Sequence, residues 1–465
     1  MRDTWKIFGM SSEGQTTLQF IIPLVILLLF LIGTALMIPG LSPAKTLALL
    51  LGMVVFVISF ISTEIGLFVL IFSMLLSPEF VVGVTENASL GRGITLRLDD
   101  FLLVIIGFSW LAKMAIIKEL GLFLRTPLNK PIAFYILVCL VSTLFGALFG
   151  RVELKTGFFY VLKYFEYMIV YFIVANHLES SKQEQRYLWA MLITCAVVSL
   201  IGIAQIPGGH RVSAPFEGEV GEPNTLGGYL VFMLSIVAGL FLTTPSFRMQ
   251  LVYGSLAILF AVPLFYTQSR SSYLAAIPAV LTFLLLSEKK QWVLGVILAL
   301  AITVPLIAPE PVKERVMYTF TQGQRQKNAV EVGGMRLDTS TSARLVSWRE
   351  AAKDWIKHPF FGYGVTGYRF LDAQYFRVVL ETGILGMFFF LLLLSTIFKQ
   401  TYRSFKSAES PFQRGLCMGF LAGFVGLMTH AIGANTFIIV RIMEPFWFVT
   451  AMVVMMPELD KAASR

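Results

Sequence analysis

Pro131-Ile132-Ala133-Phe134-Tyr135-Ile136-Leu137-Val138-Cys139-Leu140-Val141-Ser142-Thr143-Leu144-Phe145-Gly146-Ala147-Leu148-Phe149 runs for nineteen residues without one charged side chain. Crossing about 30 Å of hydrocarbon takes about 20 mostly apolar residues in a helix, so this stretch reads as a membrane span. The same ruler, moved outward in both directions, finds spans near 18–38, 44–62, 63–77, 99–117, 130–149, 157–176 and 187–206. It finds more near 224–243, 250–266, 271–287, 290–308, 374–398, 412–431 and 437–456. The expected fold is an all-α polytopic integral membrane protein of about 12–14 transmembrane helices. The stretch from Pro43 to Pro78 reads as two short helices or as one long helix with a re-entrant piece. The first apolar run follows Arg2 and Lys6, as in a signal peptide. It is too long for one and lacks a small-residue cleavage site, so it reads as a retained helix.

Composition leaves no other class. Of 465 residues, 56% are hydrophobic and only 14% charged, against roughly 25% charged in soluble chains. Mean hydropathy is +0.76. A soluble domain, a disordered chain and a disulfide-rich secreted scaffold are excluded together. Cys139, Cys195 and Cys417 all lie in apolar runs and read as small buried side chains. The net charge of +9 is mostly a topology signal. With the N-terminus inside, inner segments hold Lys113, Lys118, Arg125, Lys130, Lys182, Arg186, Lys289, Lys290, Lys399, Arg403, Lys406 and Arg414, among others. The outer loops and helix ends hold Lys45, Arg92, Arg97, Arg151, Lys155, Arg211 and Arg270. No nucleic-acid partner is needed to explain the charge.

This orientation divides the chain into a first bundle part (1–308), one large extracytoplasmic loop (309–371) and a last bundle part (372–465). Within the loop, Leu345, Trp348, Ala352, Trp355 and Ile356 recur at helical spacing before Pro359 ends the run. An amphipathic helix with two tryptophans suits either the membrane surface or a cover over the bundle.

Chemistry in so apolar a chain is sought at charges near lipid depth, because each costs about 2.5–3.5 kcal/mol at a helix centre and usually faces a cavity. Three places stand out. First, His210-Arg211 leads through Glu222-Pro223-Asn224-Thr225 into a helix. There Asn224 or Thr225 can cap, Pro223 suits the start, and Arg211 offers a fork of donors to phosphate. Second, Thr267-Gln268-Ser269-Arg270-Ser271-Ser272 forms a short turn whose arginine points into headgroups or into the bundle. Third, a glycine-rich run (Gly362, Gly364, Gly367) precedes Asp372, Tyr375, Arg377 and Glu381. The glycines are a weak phosphate-nest signal. Arg377 with Glu381 reads as a structural pair one turn apart, and so do Lys163 with Glu166 and Arg441 with Glu444. His177 and His430 read as structural, and no set of residues has metal-ligand spacing.

In that order on a polytopic scaffold, these motifs resemble the O-antigen ligase and polymerase superfamily of bacterial membrane glycosyltransferases. Arg211 with Glu222-Pro223-Asn224-Thr225-Leu226-Gly227 is similar to its arginine and proline-asparagine helix start, and Gln268-Ser269-Arg270-Ser271 to its serine-arginine turn. Arg344 with Trp348, His358 to Gly364, and Glu381-Thr382-Gly383-Ile384-Leu385-Gly386 resemble its outer loop and the helix that follows. The resemblance covers most of the chain from about Asp99. It implies transfer of a glycan from a polyprenyl-diphosphate carrier to a glycan or lipid-linked acceptor hydroxyl. The site would lie on the outer face of the cytoplasmic membrane, among membrane lipids, with no nucleotide sugar, metal or other cofactor.

Under that resemblance Arg211 and Arg270 would hold the departing diphosphate, and Arg344 would be a third phosphate or sugar contact. Glu222, Asn224, Ser269 and Tyr375 would be substrate contacts. Many ligases place a histidine-asparagine pair before the tyrosine that corresponds to Tyr375. This chain has Asp372-Ala373, a pattern closer to polymerase-like relatives, which makes Asp372 the candidate base or the residue that positions the acceptor, with Glu222 as its substitute. A transporter or flippase of a lipid-linked or anionic solute is the alternative, with Arg211 and Arg270 in its pathway. The chain shows no half-to-half symmetry in favour of it.

Overall fold

The computed structural model describes residues 43–83, 94–117, 124–217, 221–307, 313, 317, 331–332, 335–336 and 339–463. The expected first span, 18–38, lies outside them, as does most of 309–338. Every other apolar stretch forms a helix. In chain order these are α1 (Pro43–Ile61), α2 (Thr63–Leu76), α3 (Leu98–Ile117), α4 (Asn129–Leu148), α5 (Leu154–His177), α6 (Ser181–Gln205) and α7 (Pro223–Thr243). There follow α8 (Phe247–Tyr266), α9 (Arg270–Leu286), α10 (Lys290–Ile307), α11 (Thr339–Trp355), α12 (Gln374–Ser407), α13 (Pro411–His430) and α14 (Val440–Ala463). A hairpin of β1 (Glu79–Gly83) and β2 (Ile94–Arg97) pairs antiparallel. Among the described residues, eight helices are long and apolar enough to cross a membrane, and four apolar helices are shorter. The stretch from Pro43 to Pro78 resolves into two helices that part at Ser62.

The chain falls into two units, one of residues 1–73 and 98–123, the other of residues 74–97 and 124–465. In the first, α1 packs on α3 around Met53, Phe60, Leu103 and Ile106. The Ser109 hydroxyl donates to the Phe56 carbonyl at 3.3 Å.

The second unit is built on α7 and α13. Gly415, Gly419 and Gly423 stand four residues apart on α13 and meet α7 at Ile236, Gly239 and Phe232. A Cβ added at Gly419 would lie 2.6 Å from the Ile236 Cα. Small residues at this spacing let two backbones approach closely, which in lipid supplies the van der Waals contact that a hydrophobic effect cannot. The apolar stretches of α7, α13 and α14 are 78%, 72% and 83% buried, whereas that of α8 is 22% buried and faces outward. Aromatic pairs such as Phe134–Phe389 and Tyr135–Phe390 close the α4–α12 seam. The three cysteines are free and buried.

Two loop features bear on function. Helix α11 turns Trp348, Ala351 and Trp355 toward a small core with Leu371, Ala373 and Leu380, and Trp348 stacks on Phe376 with centroids 5.3 Å apart. This is the cover over the bundle, with Ala351 in the place expected for Ala352, which is exposed. The glycine-rich run is spent on backbone contact. Helix α12 breaks at Gly383 (φ 67°), and the segment before it fills the break. Tyr363 N–H donates to Leu380 O and Gly364 N–H to Glu381 O, both at 2.8 Å, and Ile384 N–H donates to Pro359 O at 2.8 Å. Gly362 and Gly364 take positive φ there, which glycine alone adopts without strain.

Candidate active site

The arginine motifs meet through backbone. Arg211 Nε donates to the Thr267 carbonyl at 3.0 Å, and its Nη2 donates to the Gln268 carbonyl at 3.3 Å. Gln268 stands at φ 49°, a left-handed conformation that a non-glycine residue rarely adopts, so the α8–α9 turn is held by its surroundings. Ser269, fully buried, caps α9 by accepting from Ser272 N–H at 3.3 Å. Its hydroxyl donates to Asn224 Oδ1 at 2.7 Å, which ties the turn to the first turn of α7. Arg270 is the first residue of α9 and is half-buried. The N-cap position of α7 falls on Glu222, with Pro223 in the first turn, so Asn224 and Thr225 lie inside the helix. The Thr225 hydroxyl donates back to Glu222 Oε2 at 3.3 Å.

Asp372 is placed by a second set of bonds. Leu371 O accepts from Asn435 Nδ2 at 2.9 Å, and Gln374 N–H donates to Ala431 O at 3.0 Å. Gln374 Oε1 accepts from Phe437 N–H at 3.0 Å. Tyr375, the second residue of α12, donates its hydroxyl to Met428 O at 2.7 Å. The Asp372 carboxylate itself meets Arg344 Nη2 of α11 at 3.1 Å, with both side chains about 30% exposed (32% and 29%). Burial holds the Asp372 carboxyl above its ordinary value, and the Arg344 charge opposes that shift. His430, buried at the end of α13, meets Ser272 Oγ at 3.2 Å and Thr436 Oγ1 at 2.8 Å, in keeping with a structural part.

Within the second unit a cavity of about 490 Å³ opens where helix N-termini gather. Pro223, Asn224 and Thr225 of α7, Arg377 of α12, and Val440 and Arg441 of α14 all stand in its wall. Helix N-termini carry partial positive charge and exposed amides, so this end of the bundle attracts anions. Cationic side chains add to that: Lys163 from α5 and Arg377, Arg97 and Arg441 from elsewhere in the fold. Glu79, Asp372, Glu217 and Glu222 supply as many carboxylates. Of the residues expected from sequence, Asp372, Glu222 and Asn224 line this cavity. Arg211, Arg270, Arg344, Ser269 and Tyr375 stand outside its lining; Arg344 reaches it through Asp372, and Ser269 through Asn224.

The cations in the wall differ in how they are held. Arg377 pairs with Glu381 at 3.1 Å, both buried, and Lys163 pairs with Glu166 at 3.1 Å, as their spacings predict. Arg441 is 2% exposed and donates to the carbonyls of Leu75 (2.8 Å), Pro215 (2.9 Å), Ser77 (3.2 Å) and Phe216 (3.2 Å). It also reaches Glu79 at 3.3 Å and Glu217 at 3.8 Å. Glu444, expected as its partner, faces Arg97 at 3.9 Å. The buried Glu217 accepts from Glu222 N–H at 2.8 Å, and burial pushes its carboxyl up to about 7 even beside Arg441. Glu217 was not singled out from sequence, and Lys163, Arg377 and Arg441 were read as structural. The signal available for those three was a charge at membrane depth.

Residues 255–391 match the family model described as O-antigen ligase. That stretch contains the Arg270 turn, α11, Asp372 and the broken part of α12. The α5, α7 and α14 walls of the cavity lie beyond it. No curated protein matches the chain.

Proposed function

We propose, from the match of residues 255–391 to the O-antigen ligase family model, that the chain moves a glycan from a polyprenyl-diphosphate carrier to an acceptor hydroxyl. The reaction takes place at the extracytoplasmic face of the bacterial cytoplasmic membrane, as an O-antigen or exopolysaccharide polymerase or ligase, without nucleotide sugar or metal. The observation that carries this reading is the cavity, where helix N-termini and four cations share the wall with carboxylates, among them the half-buried Asp372.

The chemistry follows from charge. The acceptor oxygen attacks the anomeric carbon while Asp372 takes its proton, and the polyprenyl diphosphate leaves with the electron pair of the broken carbon–oxygen bond. Negative charge grows on the leaving oxygen, so fixed donors aimed there favour the transition state over the ground state. Burial that raises the Asp372 carboxyl brings a weak base nearer to working pH, the direction general-base catalysis requires. Arg344 orients that carboxylate, Arg211 braces the turn that presents Arg270 to the diphosphate, and Glu222 is the second carboxylate within reach of an acceptor. Asn224, Ser269 and Tyr375 hold these elements in register.

The test is a reconstituted assay with purified protein and a polyprenyl-diphosphate oligosaccharide. Glycan transfer without added nucleotide, lost in Asp372→Ala and Arg270→Ala while the melting temperature holds, is the expected result. Movement of the lipid-linked glycan across the bilayer with no bond cleaved would sink the reading and favour a flippase.

A further inference from the structure

Helix α5 presents Phe159, Tyr160, Lys163 and Tyr164 to the cavity, the i, i+1, i+4, i+5 pattern of a single helical face. Lys163 lies well inside a span, and its side chain is only 13% exposed. Its ammonium stands 5.7 Å from the Phe159 ring centroid. Arg377, from α12, stands in the same cavity wall as Tyr160 and Lys163. Two cations from two helices and one phenol therefore share the cavity wall, and Asp372 stands in the same lining.

We propose that this face of α5 is a diphosphate subsite, in which Lys163 is the residue that distinguishes a polyprenyl diphosphate from a polyprenyl monophosphate. The inference rests on the glycan-transfer reading above and adds to it a contact outside the matched residues 255–391. A second phosphate adds charge close to the lysine, whose ammonium offers three donors as a compact point charge. Tyr160 contributes a hydroxyl to the same wall. The aromatic rings beside it suit the apolar face of the first sugar or the first isoprene unit.

If Lys163 serves only to pair with Glu166, removing either partner has the same effect. If it reads the donor, the two removals differ. The experiment measures binding of undecaprenyl diphosphate and undecaprenyl monophosphate to the purified, nanodisc-embedded protein, alongside transfer kinetics and melting. Lys163→Gln should weaken diphosphate binding roughly tenfold, the scale of one charge-assisted hydrogen bond. It should leave monophosphate binding little changed and raise KM for the donor more than it lowers kcat. Lys163→Arg should restore most of the preference, and Glu166→Gln should keep it. Asp372→Asn should still bind diphosphate while losing transfer. Equal affinity of wild type and Lys163→Gln for the diphosphate overturns the proposal, as does parallel loss in Lys163→Gln and Glu166→Gln. Should Lys163→Gln fail to fold, the comparison of Lys163→Arg with Glu166→Gln decides on the same terms. Tight diphosphate binding without any glycan transfer by the wild type would instead overturn the transferase reading and leave the subsite standing.

Discussion

Arg441 and Arg344 stand at the same end of the bundle and are held in opposite ways. Arg441 is buried under four carbonyl oxygens and two carboxylates drawn from two separate segments, 75–79 and 215–217. Arg344 comes from a covering helix and touches one carboxylate, with 29% of its side chain exposed. A guanidinium saturated by backbone oxygens is committed to holding those segments together. One that shares a single half-exposed carboxylate can exchange that partner for a phosphate or a sugar at small cost. The difference separates an arginine that builds the cavity from one that, under the proposed function, exchanges its partner for substrate.

Removing the committed arginine should have the largest effect. Arg441→Ala leaves Glu79, Glu217 and the carbonyls of 75, 77, 215 and 216 facing no cation, and should lower stability by about 3–5 kcal/mol. Thermal melting in detergent reads this out. A melt like the wild type would erase the contrast between the two arginines. Asp372→Asn should cut transfer turnover about a hundredfold or more while the melting temperature stays in place.

Arg344→Gln sharpens the contrast through pH. The Arg344 charge lowers the Asp372 carboxyl, which burial raises. Without it that carboxyl rises further, and the base becomes protonated at higher pH. The acidic limb of the transfer profile should therefore move toward neutral, with stability nearly unchanged. An unmoved limb would show that Arg344 does not act on the base.

Glu217 tests the buried side of the comparison. Its carboxyl rises from 4.5 to about 7 on folding, so the folded state holds its proton more tightly than the unfolded one. The stability this confers is full below pH 4.5 and is lost as pH climbs through 7. Between those limits the melting temperature of the wild type should fall relative to Glu217→Gln. The smallest effect is expected for Ser269→Ala, about 1 kcal/mol for a lost helix cap, measured by the same melts.

The fold was legible because lipid imposes one rule. Backbone polar groups must be satisfied inside each segment, so a long apolar run has little choice but a helix. Every apolar stretch from residue 44 onward that falls on described residues forms one. The glycine spacing of α13 was also written in the chain, but only the facing α7 gives it meaning. The candidate site was less legible. Its wall gathers residues near 79, 97, 160, 220, 372 and 441, a grouping no local pattern announces. Motif reading led to Arg211 and Arg270 because they sit in distinctive loops. The cavity's own cations, Lys163 and Arg377, are each paired within a helix and so read as routine.

The interruption of α12 at Gly383 has a mechanical corollary. The segment 359–364 is fastened by main-chain bonds to residues 380 and 381 above the break and to residues 384 and 385 below it. Because Pro359 O receives Ile384 N–H, the segment bonds to the helix on both sides of the break and splints the two arms together. A Gly383 substitution would therefore disturb the arm that carries Arg377 and the arm below it at once.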